Sequence, residues 1–202
     1  MSTPLHYFEG LYAAAEDPWN FTDSWYDQRK HALTVASLPR RRYRSAFEPG
    51  CSTGMLTHLL AARCDRLLAV DAVESAATTA AERLGACPHV RVARGQVPDD
   101  WPEEQFDLIV LSELIYYFDD LRAGRLIDQT ITSLAPGGDL VTVHWRWPVP
   151  QHVRSADEVQ RELAGRTELT RTVSHREADF YLDVYSRTPP AARSVAQREG
   201  RC

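Results

Sequence analysis

From Ser45 onward, short apolar runs alternate with longer stretches of helical character, the pattern of strands separated by crossover helices. Strands are expected at 45–48, 67–71, 90–93, 106–111 and 139–144, and helices near 54–63, 74–84, 120–133 and 155–164. Ser155 with Glu158 three residues on forms a capping-box signature at the start of the last helix. Such alternation predicts an α/β fold with a parallel sheet covered by helices on both faces. Residues 167–174 and 179–187 instead alternate apolar and polar positions, which predicts an antiparallel hairpin at the sheet edge. With 202 residues the chain suits one domain, expected over 1–187. The Pro-, Ala-, Arg- and Gly-rich tail from Pro189 to Cys202 is expected to be disordered.

The most informative stretch is Phe47-Glu48-Pro49-Gly50-Cys51-Ser52-Thr53-Gly54, followed by Leu67-Leu68-Ala69-Val70-Asp71. A buried strand enters a turn with two glycines and then a helix, and a carboxylate ends the next strand, which is a nucleotide-binding layout. Gly50 and Gly54 let the backbone come close to a ligand, while Asp71 can accept both ribose hydroxyl protons. Ala72 and Val73 would then border the adenine. Ser52 and Met55 stand where a dinucleotide turn needs its second and third glycines, which weakens hydride transfer as a reading. A phosphate-binding loop needs Lys before Ser or Thr, and the chain's single Lys, Lys30, lies upstream of the turn. What remains is an adenosine without phosphate. Glu48 before the first glycine suits a ligand that also carries an ammonium group, and S-adenosylmethionine, with S-adenosylhomocysteine as product, meets both conditions.

With these residues in view, the chain resembles class I methyltransferases. Asp17-Pro18-Trp19, Trp25 to Lys30, Phe106 to Tyr117, Leu134 to Gly138 and Val143 to Arg146 together resemble the nodulation protein S branch, whose members N-methylate an amino sugar. The resemblance implies a Rossmann-like, seven-stranded, mostly parallel sheet and an N-terminal helical lid over 1–40. It implies that the helix from Trp25 to Ala36 folds over the cofactor, with Trp19 packing on it and Tyr26 and Lys30 meeting its carboxylate. In the turn, Cys51 and Ser52 would contact the cofactor, as would Ser112 at the end of the fourth strand. Gln96 and Val97 would flank the base, although the family usually carries Asp where Gln96 stands.

Glu113 and Tyr117 follow the fourth strand, where the transferred methyl is expected. Glu113 could orient an amine and accept its proton, and His144 past the fifth strand is the second candidate base. Tyr116 or Tyr117 would form an aromatic wall. An O-methyltransferase with His144 as base and a non-catalytic S-adenosylmethionine-binding protein are the alternatives. The loop Trp147-Pro148-Val149-Pro150, together with Trp145, Arg146 and His152, would wall the acceptor pocket. Asp107 and the Pro136-Gly137-Gly138 turn are read as structural, and Trp25 as an ordinary core aromatic.

Composition narrows the partners. Hydrophobic residues at 44% and charged ones at 25% are ordinary for a globular protein, and no apolar run approaches the ~20 residues of a membrane span. The start has neither the basic region nor the apolar stretch of a signal peptide, so a cytoplasmic location is expected. Net charge −5 argues against a nucleic-acid partner, and the run Arg40-Arg41-Arg42-Tyr43-Arg44 reads as a solvated turn. Cys51, Cys64, Cys87 and Cys202 lack paired spacing and are expected to be free thiols with no metal. The expected partner is a small-molecule methyl acceptor.

Overall fold

The computed structural model describes residues 1–201. Seven strands form one sheet in the order β3-β2-β1-β4-β5-β7-β6. They are β1 (Ala46–Pro49), β2 (Leu67–Asp71), β3 (Val90–Arg94), β4 (Phe106–Ser112), β5 (Leu134–Trp145), β6 (Leu169–Arg176) and β7 (Phe180–Arg187). The first five pair in parallel, and β7 runs antiparallel to both β5 and β6. The helices are α1 (Leu5–Ala14), α2 (Trp25–Ala36), α3 (Met55–Ala61), α4 (Glu74–Arg83), α5 (Asp120–Ser133), α6 (Ala156–Ala164) and α7 (Val195–Arg198).

Burial explains the strand sequences. Interior strands β1 and β2 are buried at every position, whereas the edge strand β3 is half exposed. Within β4, Ile109 and Leu111 point into one core with Leu126, Ile127 and Val159, while Leu108 and Val110 point into the other with Val141, Leu182 and Val184. A sheet apolar on both faces needs helices on both. The expected capping box on α6 is present, with Ser155 accepting from the Glu158 N–H and Glu158 reaching back to Ser155. Asp107 has the structural role read for it, accepting the N–H groups of Arg44 and Ser45 at 3.1 and 2.7 Å.

Several elements differ from the sequence reading. Strand β5 begins at Leu134 rather than 139, so Pro136-Gly137-Gly138 lies inside it, beside a register shift between Phe106 and Leu108 of β4. Helix α1 carries no strong amphipathic signature of its own and becomes visible only through what its aromatic residues cover. Trp25 is 73% exposed and belongs to no core. Its neighbour Tyr26 makes the helix–sheet contact instead, edge-on to Trp145 and Phe180. Beyond Arg187, where composition predicts disorder, the chain carries the one-turn helix α7, capped by Ser194. From it Arg198 reaches the buried Asp139 at 3.4 Å, an anchor no local pattern could reveal. No described helix is long and apolar enough to cross a membrane. Cys51, Cys64 and Cys87 are free thiols, and Cys202 lies outside the described residues.

Candidate active site

Strand order reverses between β1 and β4, and a cavity of about 560 Å³ opens at the carboxyl ends of the strands there. Connections leaving neighbouring strands toward opposite faces create a crevice at this point in any doubly wound sheet.

One half of the cavity is built from the β1 and β2 ends. Gly50 and Cys51 both donate their N–H to the Val70 carbonyl, at 2.7 and 3.0 Å, which folds the turn back over β2. Gly50 has φ +74°, and a Cβ there would meet Leu114 Cδ1 at 3.1 Å. Ser52, also in the left-handed region at φ +51°, donates its N–H to Asp71 Oδ2, while the Val73 N–H donates to Oδ1, both at 2.9 Å. A carboxylate offers about four acceptor positions, so each Asp71 oxygen keeps one in reserve. Burial raises the Asp71 pKa, and these N–H groups work against that rise. Glu48 is 3% exposed, and its Oε2 has no hydrogen-bond partner among the described residues. Burial pushes its carboxyl up to about 8. Ala72, Val73, Gln96 and Val97 continue this wall, with Ser112 at the end of β4.

Helices α1 and α2 form the roof. Tyr12 of α1 hydrogen-bonds the Ser52 hydroxyl at 2.6 Å and packs edge-on against Trp19, which stacks on Phe21. Tyr26 lies over the cavity with its buried hydroxyl unpartnered among the described residues. Lys30, 3% exposed, places its ammonium 2.8 Å from Glu113 Oε1, 3.1 Å from Asp27 Oδ1 and 4.9 Å from the Tyr26 ring centroid.

The other half gathers around the β4 end and the following 3-10 turn, Ile115–Tyr117. Glu113 sits at φ +52°, a conformation that costs a non-glycine residue of order 1 kcal/mol and is held here by its surroundings. Its Oε2 accepts the Trp145 N–H at 2.9 Å and the Tyr116 hydroxyl. The Tyr117 ring stands edge-on to Phe8 of α1, to Tyr116 and to His152.

Three sequence expectations need correction. Gly54 does not line the cavity. Its φ is +78°, and an added Cβ would meet Ala80 Cβ at 3.1 Å, so this glycine serves close approach of α3 to α4 rather than to a ligand. Glu113 is not poised to accept a proton. Burial alone would raise its pKa, but the charge of Lys30 and the donated hydrogen bonds hold it below the usual carboxylate range. His144 is fully buried inside β5, behind Tyr116, with both ring nitrogens unpartnered among the described residues, and it does not reach the cavity. Lys30 lines the cavity, with one N–H donated to Glu113 and its charge also paired with Asp27.

Sequence reasoning passed over Phe8 and Tyr12, a helical (i, i+4) aromatic pair whose spacing is readable once a helix is assumed there. His152 of the loop, expected only as a wall, lines the cavity beside Tyr116; the other lining imidazole, His31 of α2, is buried in the roof next to Lys30. Arg146 and Trp147 of the same loop face elsewhere, bonding the Glu177 and Ala178 carbonyls and Asp179.

Buried neutral histidines make stability pH-dependent. Burial lowers His144 to about 4, as it does His31, so below pH 6.5 the unfolded chain binds protons that the folded one refuses. Stability therefore falls as pH drops from 6.5 toward 4. Urea titrations at pH 7 and 4.5 should show a loss about 2 kcal/mol smaller in His144→Leu than in the wild-type protein; equal losses would refute a neutral buried His144.

Residues 10–164 match the family model of Nodulation protein S (NodS). The chain belongs to the nodulation protein S family. It is 35% identical over 130 residues to Nodulation protein S of Rhizobium tropici, covering 63% of this chain and 55% of that protein, and 33% identical to the one from Sinorhizobium fredii. The alignments span 55–62% of the length of the first three curated relatives it matches. Among solved structures, the N-methyltransferase NodS from Bradyrhizobium japonicum WM9 in complex with S-adenosyl-L-homocysteine superposes with TM-score 0.79 at 29% identity, covering 90% of this chain and 97% of that one. A Pseudomonas syringae protein of known structure is 47% identical with TM-score 0.72, covering 81% of this chain and 100% of that one. The fold is that of class I methyltransferases, a mixed seven-stranded sheet with antiparallel C-terminal strands.

Proposed function

We propose that this nodulation protein S family member is an S-adenosylmethionine-dependent methyltransferase acting on a small amine, an amino sugar or a glycosylated metabolite being the nearest candidates. One observation carries the reading: a single cavity holds both the Asp71–Glu48 cradle and, at the β4 end, a carboxylate ringed by aromatic residues. The residues fit the cofactor. Asp71 keeps acceptor capacity for two ribose hydroxyls, Gly50 lines the cavity where an added Cβ would press on Leu114, and the unpartnered Glu48 oxygen awaits a cation. Ala72 and Val73 would border the base with Gln96 and Val97 across from them. The Tyr26 hydroxyl and the remaining Lys30 donors would hold the carboxylate, and Cys51, Ser52, Ser112 and Trp19 would complete the enclosure.

When bound, S-adenosylmethionine supplies a methyl group on a cationic sulfur, already a good leaving group. The protein's task is therefore placement and exclusion of water. Glu113, kept anionic by Lys30, attracts and orients an amine, and the Tyr117 and Phe8 rings favour its cationic form on arrival. An ammonium gains both charge attraction and a hydrogen bond from this anion whereas a hydroxyl gains the hydrogen bond alone, which favours amines over alcohols.

Calorimetry with S-adenosylhomocysteine tests the cofactor half. If the ligand's ammonium draws Glu48 into its ionised form, binding at pH 7 releases close to one proton. Affinity then rises about tenfold per pH unit from 6 until it levels near 8. Glu48→Gln should abolish both the proton release and the slope; a slope that survives the substitution refutes the assignment. For the acceptor half, D-glucosamine and 2-phenylethylamine are compared with D-glucose and 2-phenylethanol in a methyl-transfer assay. Methylation of the alcohols alone would overturn the amine reading.

A further inference from the structure

We propose that His152 is the catalytic base that removes the acceptor amine's proton. The inference rests on the methyltransferase reading above and supplies the proton acceptor that Glu113 and His144 do not provide.

The geometry selects this ring. The Val153 and Arg154 N–H groups donate to the Tyr116 carbonyl at 2.9 and 3.2 Å, which pins the 147–152 loop onto the 3-10 turn after β4. That pinning lays the His152 imidazole flat on the Tyr116 ring, centroids 3.7 Å apart and planes 21° from parallel, and edge-on to Tyr117 at 5.1 Å. The ring is thus oriented without using its nitrogens. Unlike His144, it is half exposed and lines the cavity, so a proton taken there can pass to water.

The charged and titratable groups around it are Glu113, just past β4 and paired with Lys30 of α2, Tyr116 and Tyr117 from the 3-10 turn, and His144 from β5. Partial burial lowers the His152 pKa, and Glu113 opposes the shift. The imidazole is therefore neutral at pH 7 and able to accept. Glu113 and His152 divide the work: a fixed anion holds the amine, and a neutral base takes its proton.

In the balanced step, an ammonium acceptor gives one proton to an imidazole nitrogen of His152 and regains its lone pair. That pair forms the new nitrogen–carbon bond while the carbon–sulfur pair returns to sulfur, leaving a neutral thioether and a methylated ammonium. The proton on His152 leaves to solvent. No further reactant is required.

The test compares wild-type protein with His152→Ala and His152→Gln, using whichever of D-glucosamine and 2-phenylethylamine is methylated. At pH 7 both variants should lose about 100-fold in kcat, within the usual range for a lost general base. The deficit should shrink as pH approaches the amine's own pKa, where solvent removes the proton, and added imidazole should restore His152→Ala in part. Independently of turnover, 15N-histidine spectra of the wild-type S-adenosylhomocysteine complex at pH 7 should show a His152 ring-nitrogen signal, identified by its absence in the variants, that shifts when the amine is added, as that nitrogen accepts a hydrogen bond from the ammonium. A deficit equal at all pH values without imidazole rescue, or rates within twofold of wild type, overturns the base assignment. In either case unchanged S-adenosylhomocysteine affinity would leave the methyltransferase reading standing. If wild-type protein binds no S-adenosylhomocysteine or methylates neither amine, that reading fails and this one with it.

Discussion

Asp71→Ala should lower affinity for S-adenosylhomocysteine at least 100-fold, to below calorimetric detection at ordinary protein concentrations. Two charge-assisted hydrogen bonds to ribose hydroxyls are worth about 1.5–3 kcal/mol each, and both vanish with the carboxylate. The same substitution strips the Ser52 and Val73 N–H groups of their acceptor, which loosens the turn that shapes the cradle. Asp71→Asn separates the two effects. It keeps an oxygen for one N–H, leaves the other facing an amide NH2 at a cost of about 1–3 kcal/mol in stability, and removes the charge, so it should still fold yet bind about 10–100-fold more weakly. Wild-type affinity in Asp71→Asn would remove the ribose from this site and leave the cavity without its adenosine assignment.

Lys30→Met should be the most destabilising single substitution in the roof, by about 3–5 kcal/mol. Lys30, Glu113 and Asp27 lie together with side-chain exposures of 4%, 20% and 11%. Removing the cation leaves two carboxylates facing one another in a partly dry pocket, and this uncompensated charge, rather than the loss of the pair itself, sets the cost. The double variant Lys30→Met with Glu113→Gln should regain a substantial part of that loss in urea titrations, because an amide can still accept the Trp145 N–H. The pH dependence carries the matching sign. A carboxyl held below its ordinary value stabilises the fold above pH 4.5, and this contribution disappears as pH falls through the depressed folded value. A Lys30→Met protein as stable as wild type would show that α2 is not fastened to the β4 end through this pair.

The fastening also links cofactor and acceptor. Lys30 donates one hydrogen bond to Glu113 and pairs with Asp27, so a carboxylate arriving at its remaining donors would bear on the residue proposed to orient the amine. Helix α2 thus joins the two halves of the cavity, consistent with a roof that closes over one ligand while arranging the site for the other.

The local patterns were sufficient for most of the architecture. Strands β2 and β4 and helices α5 and α6 lie within a residue or so of their expected bounds, because continuous burial and a capping box are encoded over a few adjacent positions. The turn Glu48–Ser52 and Asp71 were legible for the same reason: their spacing follows from the strand–turn–helix unit alone. Residues whose role depends on which way a side chain finally points were not. Gly50 and Gly54 look equivalent in sequence, yet one faces the cavity and the other faces Ala80. His144 and His152 are both histidines just after the fifth strand's apolar run. The pleat of β5 buries the first behind Tyr116, whereas backbone hydrogen bonds to the Tyr116 carbonyl bring the second to the cavity. Likewise, the chemistry of Glu113 changes from base to fixed anion only when Lys30, 83 residues away in the chain, arrives at 2.8 Å. Sequence by itself determined the elements, their alternation and the turn with Asp71 proposed to cradle adenosine, since these arise from short-range burial and turn chemistry. Tertiary structure alone decided which ionisable groups meet, and therefore their protonation, because electrostatic coupling depends on distances that no local pattern specifies.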